Sequence, residues 1–170
     1  MSEQFIEDAI RTKSDQWHGD KVHLDLFKEC LEDSIHCGGF VDGLKKKLFY
    51  NKDMYQWDEY TDDAPLVGTN FTQNQIDVIH AILGIYTEGV ELLEALYKFL
   101  EVGVFDDTNL KEEFGDIFWY QAILAKALNT DFGPIQDKVI AKLKHRYPEK
   151  FTSQDAIERD LDGERKILEA

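Results

Sequence analysis

Apolar positions recur along most of this chain at three-and-four spacing, the period that aligns one face of an α-helix rather than one face of a strand. The spacing predicts helix over Phe5–Lys13 and again over Val22–Ile35, where Val22, Leu26 and Cys30 interleave with Phe27, Leu31 and Ile35. Gly38-Gly39 and Gly43 interrupt the pattern, so a separate short helix is expected around Val41–Phe49, followed by a long aromatic and acidic loop running to Ala64-Pro65. The strongest stripe begins at Thr72. Ile76, Ile79, His80, Leu83, Ile85, Tyr86, Val90, Leu92, Leu93, Leu96 and Phe99 carry it to Glu101, and Gly103 supplies a C-terminal cap. Asn109 with Glu112 three residues later reads as a capping box opening a helix over 110–128. Another helix takes Pro134 into its first turn and ends near Arg146, before Tyr147-Pro148, and a terminal helix is expected over Leu161–Leu168. Glycine and proline are sparse, 11 and three respectively, and the prolines fall at segment boundaries, which favours an all-α protein.

Composition bounds what such a protein can do. The 170 residues suit a single domain, and 43% hydrophobic content is enough for a sizeable core. With 34 Asp and Glu against 19 Lys and Arg, the formal charge is −15, which argues against wrapping a nucleic acid polymer, since that binding rests on clustered Lys and Arg. Lys45-Lys46-Lys47 is the one short basic run. No apolar stretch approaches the roughly 20 residues needed to span a bilayer, and the polar start Met1-Ser2-Glu3-Gln4 lacks the pattern of a secretory signal, so a cytoplasmic protein with no membrane partner is expected. Cys30 and Cys37 are too few for a zinc site or a disulfide framework and read as buried free thiols.

The acidity changes the picture where it enters the two longest helices. Glu88, Glu91 and Glu94 lie at steps of three on one, and Glu112, Glu113 and Asp116 share the start of the next. At ~100° per residue, a step of three stacks two side chains on one face, one turn apart. Apolar neighbours flank both sets, Val90, Leu92 and Leu93 on one helix and Phe114, Ile117, Phe118 and Trp119 on the other. Some of these carboxylates should therefore meet at a helix–helix seam, where like charges repel unless protons or cations neutralise them. A di-iron bundle would need Glu-x-x-His on paired helices, which neither set provides. Oxygen-only donors point to Mg²⁺, with Mn²⁺ as the substitute.

Glu88-x-x-Glu91, a gap of 21 residues, and Glu113-x-x-Asp116 together resemble the signature of the MazG-like all-α nucleoside triphosphate pyrophosphohydrolases of the small bacterial and phage type. The flanking residues His80-Ala81, Gly84-Ile85, Thr87, Leu92-Leu93-Glu94-Ala95-Leu96, Asn109-Leu110, Phe114-Gly115 and Trp119-Tyr120 resemble that family as well. So do Lys47-Leu48-Phe49-Tyr50 upstream and Ala141-Lys142-Leu143-Lys144, Arg146-Tyr147-Pro148 and Lys150-Phe151 downstream, giving coverage of roughly 44–165. The resemblance implies an antiparallel helix bundle acting as a homodimer or dimer of dimers; the expected division is a single domain with a core over 41–152, an N-terminal helical extension over 1–40 that the resemblance does not explain, and a tail with a short helix over 153–170. It also implies Mg²⁺ on Glu88, Glu91, Glu113 and Asp116, and a nucleoside triphosphate cleaved to the monophosphate and pyrophosphate.

Other residues acquire candidate roles beside these four. Glu112 or Glu94 could orient or deprotonate the attacking water, provided one of them comes within hydrogen-bond reach of it. His80, eight and eleven residues before Glu88 and Glu91, falls broadly on their face and could touch substrate or pack in the seam. Tyr120 could stack on a base or belong to the core, and Lys142 and Arg146, one turn apart, could contact phosphate or pair at the surface. Family members often carry Asn near position 139, where this chain has Val139. Tyr55 and Trp57 are candidate lid residues. A phosphoribosyl-ATP pyrophosphohydrolase is the nearest alternative activity, and an acidic, non-enzymatic interaction protein is the alternative class.

Overall fold

The structure is a computed structural model that describes residues 3–14, 17–52 and 70–170; Tyr55, Trp57 and the rest of the expected long loop lie outside these residues. Among the described residues all regular structure is helical: α1 (Glu3–Arg11), a 3-10 turn (Gly19–Lys21), α2 (Leu24–Tyr50), α3 (Gln73–Val102), α4 (Asp107–Ala127), α5 (Phe132–Arg146), α6 (Ser153–Ile157) and α7 (Leu161–Glu169). The all-α expectation holds. Two compact units divide the chain. One runs from Gly19 to Asn129 and contains α2, α3 and α4; the other joins Met1–His18 to Thr130–Ala170 and contains α1, α5, α6 and α7.

In the first unit α3 is central, packed on α4 along one side and α2 along another. Both ends of α3 are sealed by local chemistry. Thr72 and Gln75 form a reciprocal capping box at its start, and Gly103 ends it in the left-handed conformation at φ 74°. The expected break at Gly38-Gly39 does not occur, because α2 continues without interruption to Tyr50. Gly38 serves packing instead: a Cβ there would lie 2.4 Å from Val90 Cγ1, so only glycine lets α2 approach α3 this closely. Gly84 does the same on the other side of α3, where a Cβ would come within 2.1 Å of the Tyr120 ring of α4. Each glycine costs a helix interior about 1 kcal/mol relative to alanine, which close interhelical contact offsets.

The buried stripe of α2 is Leu31, Gly38 and Lys45, at steps of seven. Cys30 and Cys37 each precede a member of that stripe by one residue, a turn of ~100° that carries them outward. They are free, as expected, but exposed rather than buried. The start of α4 also differs from the expected capping box. Asp106, not Asn109, is the N-cap, its carboxylate accepting hydrogen bonds from the backbone N–H groups of Thr108 and Asn109. An aspartate three residues upstream intercepts the helix start, and this releases the Asn109 side chain for another use.

The second unit is built on α5 against α7, with α1 also on α5. Asp131 caps α5 and Asp160 caps α7. Pro134 falls in the first turn of α5, where its missing N–H has no intrahelical acceptor. Arg11 of α1 donates hydrogen bonds to the carbonyls of Tyr147 and Glu149, tying the N-terminal helix to the segment that follows α5. None of the described helices is long and apolar enough to cross a membrane.

Candidate metal centre

The three helices of the first unit bring together residues that are far apart in sequence. From α3 come Glu88 and Glu91, one turn apart, and from α4 comes Glu113; one carboxylate oxygen of each lies within 4.8 Å of the others. Glu88 and Glu113 are buried, at 7% and 4% exposure, while Glu91 opens toward solvent. Asp116, one turn beyond Glu113 on α4, is exposed and is not among these converging groups. Glu112 and Glu94 are exposed as well, Glu112 beside Glu113 and Glu94 one turn beyond Glu91.

Crowding of like charge at a partly dry seam marks the proton affinities. Glu113 is pushed up to about 7, first by burial and then by Glu91, Glu88 and Glu112. Asn109 donates to Glu113 Oε1 at 2.5 Å and works in the opposite direction. This is the task left to Asn109 once Asp106 takes over the cap. Glu91 is also raised, by burial and by its neighbours Glu88, Glu94 and Asp42. The cluster therefore carries more negative charge than it can hold comfortably, and its donors are all oxygens. Both properties fit a hard divalent cation, whose charge offsets the repulsion and whose ligand preference is oxygen.

One cation already sits beside the cluster, supplied by a helix whose part in the site sequence reasoning missed. Lys45 of α2 is buried, at 4% exposure, and its Nζ donates to Thr87 Oγ1 at 2.7 Å and to Glu88 Oε1 at 3.2 Å. Asp42 Oδ1 lies 3.4 Å away, and the Tyr120 ring 5.2 Å away. Burial alone would lower the lysine's pKa, but Tyr120 and Glu88 outweigh it and hold the pKa above its ordinary value. The signal was present in the sequence as the seven-residue step from Leu31 through Gly38 to Lys45, which puts the lysine on the packing stripe.

His80 lies on α3 within an aromatic enclosure. Its ring stacks on Phe49 at 3.9 Å and meets Tyr120 and Trp119 edge-on at 5.5 and 6.1 Å. Burial and the nearby Lys45 lower its pKa, so the imidazole is neutral. Its Nε2 is buried without a hydrogen-bond partner, alone in this among the described residues.

Lys142 and Arg146 belong to the other compact unit. Lys142 is half-buried. Arg146 donates two hydrogen bonds to the Glu164 carboxylate, at 2.7 and 2.6 Å, in the paired geometry that suits guanidinium to carboxylate. Arg159 reaches the same carboxylate at 2.7 Å.

Carboxylates converging from consecutive helices, with no nitrogen or sulfur donor among them, define a helical protein with a site able to bind a metal ion. Residues 78–151 match the family model of the MazG nucleotide pyrophosphohydrolase domain. The match takes in α3 from residue 78, all of α4 and α5, and the four expected carboxylates, but not α2 with Lys45 and Asp42. No curated protein and no solved structure matches the chain.

Proposed function

We propose that this protein hydrolyses nucleoside triphosphates between the α- and β-phosphates, giving the monophosphate and pyrophosphate, with Mg²⁺ or Mn²⁺ held by Glu88, Glu91, Glu113 and Asp116. The observation that carries this reading is the convergence of the Glu88, Glu91 and Glu113 oxygens to within 4.8 Å, inside a segment matching a nucleotide pyrophosphohydrolase domain. A divalent cation held by these carboxylates would supply the positive charge that offsets the charge developing on a phosphate chain during cleavage.

The rest of the chemistry falls to the chain's own groups. Glu113, whose pKa is pushed up to about 7, would hold a cation as the carboxylate, so its proton would have to leave for it to serve as a ligand. Asp116, exposed one turn beyond Glu113 on α4, is assigned as the fourth ligand on the spacing of the motif. Glu112 and Glu94, solvated and beside the raised carboxylates Glu113 and Glu91, are the candidates for orienting the attacking water. His80 offers the unpartnered Nε2 and is assigned to the nucleoside end of the substrate, with Tyr120, 6% exposed and edge-on to His80, packed behind it. For phosphate contact Lys142 is the better candidate, since Arg146 is committed to Glu164.

A second copy of the chain is proposed to cover Ile82 and Tyr86 of α3 and Phe114 and Trp119 of α4, which are 54%, 44%, 54% and 55% exposed. Light scattering will show a dimer or a dimer of dimers, and a monomer rejects that part. Purified protein with Mg²⁺ and a panel of common and modified triphosphates should release pyrophosphate rather than orthophosphate. No release from any nucleotide, or release unchanged in a Glu91→Gln/Asp116→Asn double variant, rejects the proposed activity.

A further inference from the structure

Lys45 has no part in the reaction just described, and its environment is unusual for a lysine. The side chain is 4% exposed, and its ammonium faces Thr87 Oγ1, Glu88 Oε1 and Asp42 Oδ1 at 2.7, 3.2 and 3.4 Å. The Thr87 hydroxyl accepts from Lys45 and passes its own proton to the Gly84 carbonyl at 3.0 Å, so the lysine's hydroxyl partner is itself fixed by the α3 backbone. An ammonium has three protons, and the Thr87, Glu88 and Asp42 oxygens together with the Tyr120 hydroxyl give this one more acceptors than it has protons. It is therefore fully engaged inside the protein, and in this arrangement it cannot also bind a phosphate.

Its position has a consequence for the metal centre. Glu88 belongs to the group of three whose oxygens converge, and one of its two oxygens, Oε1, is turned to Lys45. Asp42, the next carboxylate on this side, has Oδ1 facing Lys45 and Oδ2 paired with Lys46. The oxygens that could hold a second ion beside Glu88 are thus already satisfied by an ammonium. Asp42, Glu88, Glu91, Glu113 and the proposed ligand Asp116, set against Lys45 and Lys46, leave a net −3, and a single divalent ion offsets all but one of those charges.

We propose that Lys45 is the resident cation of this centre, standing where a second divalent ion would bind and limiting the carboxylate cluster to one ion when no nucleotide is present. The inference rests on the reading of the cluster as a metal centre. It also makes Lys45 a positioning residue for Glu88 rather than a group that touches substrate.

The test is titration of the full-length protein with Mn²⁺, followed by calorimetry and by the electron paramagnetic resonance signal of free Mn²⁺. Wild type should take up one ion per chain. Lys45→Met, which keeps the buried stem and removes the charge, should bind a second ion or bind the first at least about tenfold more tightly, because a fixed positive charge repelling the ion has gone. Lys45→Arg, which keeps the charge, should stay at one ion. Two ions of comparable affinity in wild type, or weaker binding in Lys45→Met, overturns the proposal. If wild type takes up no Mn²⁺ at all, the metal centre itself is rejected along with it. Circular dichroism melts of each variant identify the folded temperature range in which to titrate, and Lys45→Gln is the substitute if Lys45→Met does not fold.

Discussion

Glu113 and Glu164 are both almost completely buried, at 4% and 3% exposure, one in each compact unit, yet their surroundings drive them in opposite directions. Glu164 receives two arginines, Arg146 and Arg159, and is held down to about 2, chiefly by its hydrogen bonds to them. Glu113 receives one neutral asparagine amide and three acidic neighbours, and is pushed up to about 7. Burial is therefore not what separates a structural glutamate from a functional one. The difference is whether the fold supplies the countercharge. Around Glu164 it does, and the result is a brace between α5 and α7. Around Glu113 the compensation is incomplete, and the deficit is what an added cation can fill.

The largest effect expected from breaking this contrast is on activity. Replacing Glu91 by Gln should reduce pyrophosphate release by more than about 100-fold while leaving the fold intact, since the change removes a ligand and relieves repulsion. Steady-state kinetics with a coupled pyrophosphate assay, set beside thermal melts, will measure both. An inactive variant that melts lower than wild type would place the glutamate with the structural group.

The next effect is the reverse. Glu164→Ala should lower stability by about 2 kcal/mol, less than for a fully buried pair because Arg159 is partly solvated and can recover water. Chemical denaturation measures that loss, with kcat expected to stay near wild type. Glu113→Gln should instead raise the melting temperature of the metal-free protein at neutral pH.

The pH dependence follows from the two signs. Because folding raises the Glu113 pKa from 4.5 to about 7, its ionisation costs folded-state stability that is lost as pH climbs through that window. The melting advantage of Glu113→Gln over wild type should therefore grow from pH 4.5 to pH 7 and shrink when Mn²⁺ is added. Glu164, lowered from 4.5 to about 2, contributes stability above pH 4.5 that disappears as pH falls toward 2, so the deficit of Glu164→Gln should close over that acid range. For the same reason Mn²⁺ affinity should rise about tenfold per pH unit below pH 7, where one proton must leave Glu113 for the ion to enter.

The smallest expected effect is at His80. Phe in its place removes a buried nitrogen that has no partner, which should stabilise the protein by about 1 kcal/mol. If Nε2 meets the nucleoside, KM should rise several-fold with kcat little changed. A stabilised variant with unaltered KM would confine His80 to packing.

Several features were legible from residue order because they depend on local rules. The 3.6-residue period gave α3 and α5 almost to their ends, and Gly103 did cap α3, since a left-handed residue is a local requirement that glycine meets. The three-residue step did stack Glu88 on Glu91. Where two local signals competed, reading one of them misled. Asn109 looked like a cap until Asp106 took the position, and Gly38-Gly39 looked like a break although glycine within a helix can equally serve a close crossing.

What the sequence by itself determined is an acidic, all-α chain with two carboxylate pairs at a fixed separation, because helical period and charge are properties of neighbouring residues. Only the tertiary structure decided which acids converge, leaving Asp116 exposed, and that Lys45, 43 residues before Glu88, turns its charge into the same cluster. Distance along the chain carries no information about which helix faces meet. That depends on Gly38 and Gly84 letting α2 and α4 press against α3, and this packing both gathers the negative charge and sets the buried Lys45 ammonium against it.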